Sequence, residues 1–134
     1  MTYKIKALIV DDDDHVRGFL VVLIRRLLEG AVLEARNGLE AIEIYKAERP
    51  DLVLLDVNMP HLNGIDALEQ IREINPEAVV IMITSLATRR IVEDAADRGA
   101  TNFIRKDTPK SQILEVVTNT IEEHLVPEPG ATNS

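Results

Sequence analysis

Cysteine and tryptophan are absent from these 134 residues, and aromatic residues make up only 3%. Without cysteine, disulfides, thiolate catalysis and thiolate-bound metals are excluded. Without tryptophan there is little from which to build a base-stacking platform for nucleic acid, and the core must be filled by Leu, Ile, Val and Ala. Positive charge is scarce: 15 Lys and Arg stand against 23 Asp and Glu, for a net charge of −8. Such a chain is repelled by DNA and by anionic membranes unless it concentrates a basic patch. Arg25-Arg26 and Arg89-Arg90 each fall inside a helical pattern, where they read as solvated faces. No apolar run is long enough to span a membrane. The apolar part of "MTYKIKALIV" is too short for a signal peptide and has no small-residue cleavage site. The expected location is the cytoplasm.

What is present is an ordinary globular balance, 46% hydrophobic and 28% charged, of a length that suits one domain. Short aliphatic runs at Ala7–Val10, Leu52–Leu55 and Val79–Ile83 lack alternation, as expected of strands buried on both faces of a parallel sheet. Ala31–Ala35 and Asn102–Arg105 are two weaker strand candidates. Between them lie stretches of helical period: Val16, Phe19, Leu20, Leu23 and Leu27 form one stripe, and Ile113, Val117, Ile121 and Leu125 another. Shorter helices fit Leu39–Glu48, Ile65–Ile74 and Arg89–Arg98, with Gly30, Asn37-Gly38, Pro50, Asn63-Gly64, Asn75-Pro76 and Gly99 as punctuation. The pattern is β-α five times over, an α/β domain with right-handed crossovers. Residues 1–125 are expected to form the domain; "VPEPGATNS", 126–134, reads as a flexible tail or the start of a linker.

Acids gather where strands end. Asp11-Asp12-Asp13-Asp14 follow the first strand, and Asp56 ends the third. One or two of the four have a plain explanation as helix caps, and a lone strand-end Asp is commonly a turn former. Ligands of open parallel sheets bind beyond the carboxyl ends of the strands. If the strands lie in the flavodoxin-like order 2-1-3-4-5, these acids converge. Crowded carboxylates repel, and a hard divalent cation such as Mg²⁺ removes that penalty while keeping room for a phosphate. The fourth strand delivers Thr84-Ser85, and the fifth delivers Lys106, a compact cation on a flexible stem.

In this combination the sequence resembles a response regulator receiver domain of two-component signalling. The resemblance runs from about Lys4 to His124 and rests on "LIVDDD" at 8–13, "LVLLDVNMPHLNG" at 52–64, "VVIMITS" at 79–85 and "GATNFIRKD" at 99–107. It implies a doubly wound five-stranded parallel sheet in the order 2-1-3-4-5 flanked by five helices, two on one face and three on the other. It implies that Asp56 is the phosphoacceptor. Mg²⁺ would be held by Asp12 directly, by Asp11 mainly through water, by Asp56 and by the backbone carbonyl of Asn58. Thr84 would reorient towards the phosphoryl group, Lys106 would contact it, and Phe103 would be the switch aromatic. The implied partners are a histidine kinase or phosphotransfer protein, a downstream protein or an output domain outside this sequence, and a second copy in a dimer formed on phosphorylation. The implied activity is a switch that catalyses only its own phosphorylation and dephosphorylation.

Three positions depart from the family's usual pattern. Lys106 is followed by Asp107 where proline is usual; the family's cis bond at this place leads to an expectation of cis here too, despite a cost of about 3–4 kcal/mol without proline. Phe103 stands where tyrosine is frequent, so its ring lacks a hydroxyl. Leu86 places an apolar group near the pocket rim, where water must approach. The alternative of a Mg²⁺-dependent phosphohydrolase of the haloacid dehalogenase type needs a second Asp two residues after the nucleophile, and that residue is Asn58. A receiver that only scaffolds would not need the full set Asp11, Asp12, Asp56, Thr84 and Lys106. His15 reads as an exposed residue of the first helical turn, and His61 and His124 show no ligand spacing with it.

Overall fold

The computed structural model describes residues 2–125; the expected tail at 126–134 lies outside the described residues. Five strands and five helices alternate: β1 (Ala7–Val10), α1 (Asp14–Arg25), β2 (Val32–Ala35), α2 (Gly38–Glu48), β3 (Leu52–Asp56), α3 (Gly64–Ile74), β4 (Val79–Thr84), α4 (Arg89–Asp97), β5 (Asn102–Arg105) and α5 (Lys110–His124). All pairings are parallel, in the order β2-β1-β3-β4-β5. The central strands β1, β3 and β4 are buried at every residue, which is why their sequences run apolar without alternation.

Strand alternation divides the core in two. Ala7, Ile9, Leu52, Leu54, Ile81 and Ile83 face α1 and α5. Leu8, Val10, Val53, Leu55, Val80 and Met82 face α2, α3 and α4. The two-and-three division of helices is thus as expected. Helix starts are set by side-chain caps: Asp13, Asn37, Asn63 and Thr88 accept backbone amides at the heads of α1 to α4. The last turn of α1 tightens, with Leu27 N–H donating to Ile24 O at 2.9 Å. The core face of α1 is Leu20, Val21, Leu23 and Ile24. Phe19, expected in the buried stripe, is 47% exposed; the inward face is rotated by one residue because Val21 and Ile24 take the interior.

Two glycines of the same type of element have opposite consequences. A Cβ on Gly64, at the head of α3, would overlap the carbonyl oxygen of Asp56, and the Gly64 amide donates to Val57 O at 2.8 Å. Close backbone approach therefore holds α3 against the end of β3. Gly18, inside α1, has nothing within 4 Å of where its Cβ would lie. Gly18→Ala is expected to stabilise the protein by about 0.5–1 kcal/mol through helix propensity. Gly64→Ala is expected to destabilise it by more than about 2 kcal/mol. Equilibrium urea unfolding of the two variants checks both signs.

Candidate functional site

The register places the acids. Val10 pairs with Leu55, so Asp11, next on β1, emerges beside Asp56 at the end of β3. Asp11 and Asp56 are buried, at 0% and 2% exposure, whereas Asp12 is exposed. One oxygen from each of Asp11, Asp12 and Asp56 lies within 4.8 Å of the others. Lys106, delivered by β5, reaches across the sheet edge: its Nζ is 2.8 Å from Asp11 Oδ2 and 3.2 Å from Asp56 Oδ2. The structure thus brings together Asp11, Asp12, Asp56 and Lys106.

The electrostatics follow from counting charges. Three carboxylates face one ammonium. Burial, then the Asp11 charge, pushes the Asp56 carboxyl up from 3.8 to about 6, against the pull of Lys106. Burial works to lower the Lys106 pKa, but Asp11 and Asp56 outweigh it and hold it above its ordinary value. Asp11 Oδ1 accepts the Asp13 amide at 2.9 Å. Asp11 Oδ2 is fully buried and receives no well-aimed hydrogen bond, so its close contact with Lys106 is an ion pair only. An under-satisfied buried oxygen amid hard oxygen donors carrying excess negative charge fits a small divalent cation.

The remaining expected residues sit around this cluster without all joining it. Thr84 is buried at the end of β4; its Oγ1 accepts the Leu86 amide at 3.2 Å, and no hydrogen bond links it to Asp56. Asn58 is exposed two residues past Asp56 and borders a cleft of about 290 Å³ with Asn63, Asp66, Ile91, Asp94 and Arg98. Phe103 is half-buried on β5, opposite Met82, and packs against the core on the α2, α3 and α4 side of the sheet. Leu86 is 53% exposed. His15, His61 and His124 are all exposed, and none joins the acid cluster.

The expected cis bond between Lys106 and Asp107 is corrected by the structure: no cis peptide occurs among the described residues. The trans chain turns with Thr108 N–H donating to Arg105 O at 3.1 Å, while Lys106 N–H donates to Thr84 O at 2.8 Å. That anchorage brings the ammonium to both carboxylates, so nothing offsets the cost of a non-proline cis bond.

Sequence reasoning passed over Arg17. Its side chain is 12% exposed and every nitrogen is engaged: Nε on Glu34 at 3.0 Å, Nη2 on Asp14 at 2.7 Å, and Nη1 on the Asp11 carbonyl at 2.9 Å. It ties the acidic turn to α1 and β2. The i,i+3 spacing to Asp14 was a visible signal; the Asp11 carbonyl and Glu34 contacts are tertiary.

Comparison with known proteins agrees with this geometry. The family model described as "Response regulator receiver domain" matches residues 7–118. The chain belongs to that family. It is 38% identical over 117 residues to the chemotaxis protein CheY of Bacillus subtilis, covering 87% of this chain and 97% of that one. It is 38% identical over 112 residues to the chemotaxis protein CheY of Thermotoga maritima, covering 84% and 93%. Among solved structures, the CheX-CheY-BeF3-Mg+2 complex from Borrelia burgdorferi superposes with a TM-score of 0.78 at 30% identity, over 87% of this chain and 89% of that one. This receiver domain is therefore a component of two-component signalling and not a catalyst of a metabolic reaction. Among the described residues no helix is long and apolar enough to cross a membrane.

The raised Asp56 pKa has a measurable consequence. Its folded value lies above the unfolded one, so the stability carried by its protonated form is whole below about pH 4 and is lost as pH rises through about 6. Without divalent cations, Asp56→Asn should gain on the parent as pH rises from about 4 to about 7, reaching roughly 3 kcal/mol. Urea unfolding across that range at fixed ionic strength reads the gap; a pH-independent difference would contradict it.

Proposed function

We propose that this receiver is a phosphorylation-controlled switch whose acceptor is Asp56. The observation that carries the proposal is a buried carboxylate at the end of β3 with an ammonium 3.2 Å away and two further acids close by. One Asp56 oxygen attacks the phosphorus of a phosphohistidine on a histidine kinase or phosphotransfer protein; the P–N bond breaks as the aspartyl O–P bond forms. Lys106 stays with the oxygens that gain charge. Asp11, Asp12, Asp56 and the Asn58 carbonyl are the groups that would hold Mg²⁺, which when bound offsets the charge of acids and phosphate together. Thr84, on the neighbouring strand, supplies the hydroxyl that turns to the phosphoryl oxygen. Phe103 follows by moving deeper into the gap that this leaves. Residues 1–125 act as the receiver unit in the cytoplasm, and the altered α4–β5–α5 surface binds a downstream protein, an output domain or a second copy.

A switch needs a difference in affinity between its two states: the phosphorylated form must bind its partner more tightly than the resting form. The BeF3 and Mg+2 named in the Borrelia burgdorferi complex are the kind of groups this acid cluster suits, which supports the reading.

Incubation with Mg²⁺ and an acyl phosphate should add one phosphoryl group per chain, at Asp56, read by intact mass and peptide mapping. Asp56→Asn should remain folded and unmodified. Lys106→Ala should still be modified, with a weakened conformational response. Modification of Asp56→Asn would place the acceptor elsewhere and sink the assignment. Mg²⁺ at a hundred times its dissociation constant should stabilise the parent by about 2.7 kcal/mol, and Asp12→Asn should shrink that gain; melting curves indifferent to millimolar Mg²⁺ would count against the site.

A further inference from the structure

The residues flanking Lys106 form a contact that no part of the switch described above uses. Arg105 Nε donates to Asp107 Oδ1 at 3.1 Å and Arg105 Nη2 to Asp107 Oδ2 at 3.0 Å, a two-bonded fork spanning the lysine. Both side chains point to solvent, at 59% and 70% exposure, while the Lys106 side chain between them is only 18% exposed. The fork closes across a turn: Arg105 ends β5, and Lys106 and Asp107 are the two central residues of the turn closed by Thr108 N–H on Arg105 O. Fastening 105 to 107 on the outside restrains the turn that carries Lys106, whose side chain lies on the inner side. The backbone beneath is held by Lys106 N–H on Thr84 O and by the Arg105–Thr108 turn.

We propose that the Arg105–Asp107 ion pair is a positioning strap that aims Lys106 at Asp56 and Asp11. It restrains the turn on a trans bond, and it makes the chemistry of this site sensitive to ionic strength. The proposal deepens the phosphorylation reading and rests on it for its kinetic consequence. Exposed pairs are weak singly, but a planar guanidinium fork on a carboxylate has the geometry in which they count. Neither residue touches the acids, so both are positioning residues.

The test is a charge-exchange cycle read in two ways. Arg105→Asp and Asp107→Arg each break the strap and bring like charges together; the double variant restores opposite charges with no net change. The first reading is the rate of Asp56 modification by an acyl phosphate at saturating Mg²⁺. Each single variant should be slower by about two- to fivefold, the range an exposed pair supplies, and the double should return towards the parent. The second reading is hydrogen exchange of the Lys106 amide, which should quicken in each single variant and slow again in the double, with melting temperatures unchanged. Raising KCl from low to about 0.5 M should slow the parent and leave Asp107→Pro unaffected by comparison. A double variant no better than the worse single, or single variants with parental Lys106 exchange, would overturn the strap. If the parent itself is never modified, the phosphorylation reading fails, and the exchange measurement alone decides the strap.

Discussion

Two carboxylates buried against a single ammonium are the constraint around which this molecule is organised. Asp11 and Asp56 lie at the tip of a dry parallel sheet with Lys106 between them and a third acid, Asp12, at the rim. Burial first, and then the nearby Asp11 charge, push Asp56 towards protonation. The arrangement persists because the strands that carry the acids are locked by a core in which β1, β3 and β4 are buried throughout. Stability from apolar burial offsets a destabilised edge, and the edge is where a cation and a phosphoryl group have the most to gain.

The rest of the fold serves to keep that edge in register. Arg17 fastens the Asp11 carbonyl to α1 and β2. Gly64 allows α3 to begin against the Asp56 carbonyl. The Thr84 carbonyl receives the Lys106 amide, so the strand that carries the hydroxyl also places the lysine. β4 and β5 are joined at Thr84–Arg105 and Met82–Phe103, so the proposed switch residues Thr84 and Phe103 sit on one strand pair. Packed cores favour discrete rearrangements over gradual ones, which suits a two-state element.

Much of this was legible in the order of residues. Runs such as Leu52–Leu55 suit strands buried on both faces, and the punctuation at Asn37-Gly38 and Asn63-Gly64 stands where helices begin. The convergence of Asp11, Asp56 and Lys106 was legible because strand order and strand ends together decide it. Three features were not. Phe19 has the spacing of a core residue, but spacing does not distinguish the middle of a stripe from its margin, and Val21 and Ile24 face inward instead. Arg17 looks like any helical arginine until β2 brings Glu34 beside it. The trans bond at Lys106-Asp107 is the default for a non-proline residue; that it still lets Lys106 reach both carboxylates, with its amide on Thr84 O, is visible only in three dimensions.

An unrelieved negative charge centred on Asp56 suits this edge to a cation and a phosphoryl group. Titration calorimetry of Mg²⁺ binding in buffers of different ionisation enthalpy tests it most directly, because a metal must displace whatever protons its ligands hold. With the Asp56 carboxyl at about 6, binding near pH 5.5 should release a large fraction of one proton per ion, and binding near pH 8 almost none, with tighter affinity at the higher pH (both pH values about, as set by the titration of one carboxyl). Mg²⁺ binding that releases no proton at either pH, or no saturable binding at all, would contradict the account.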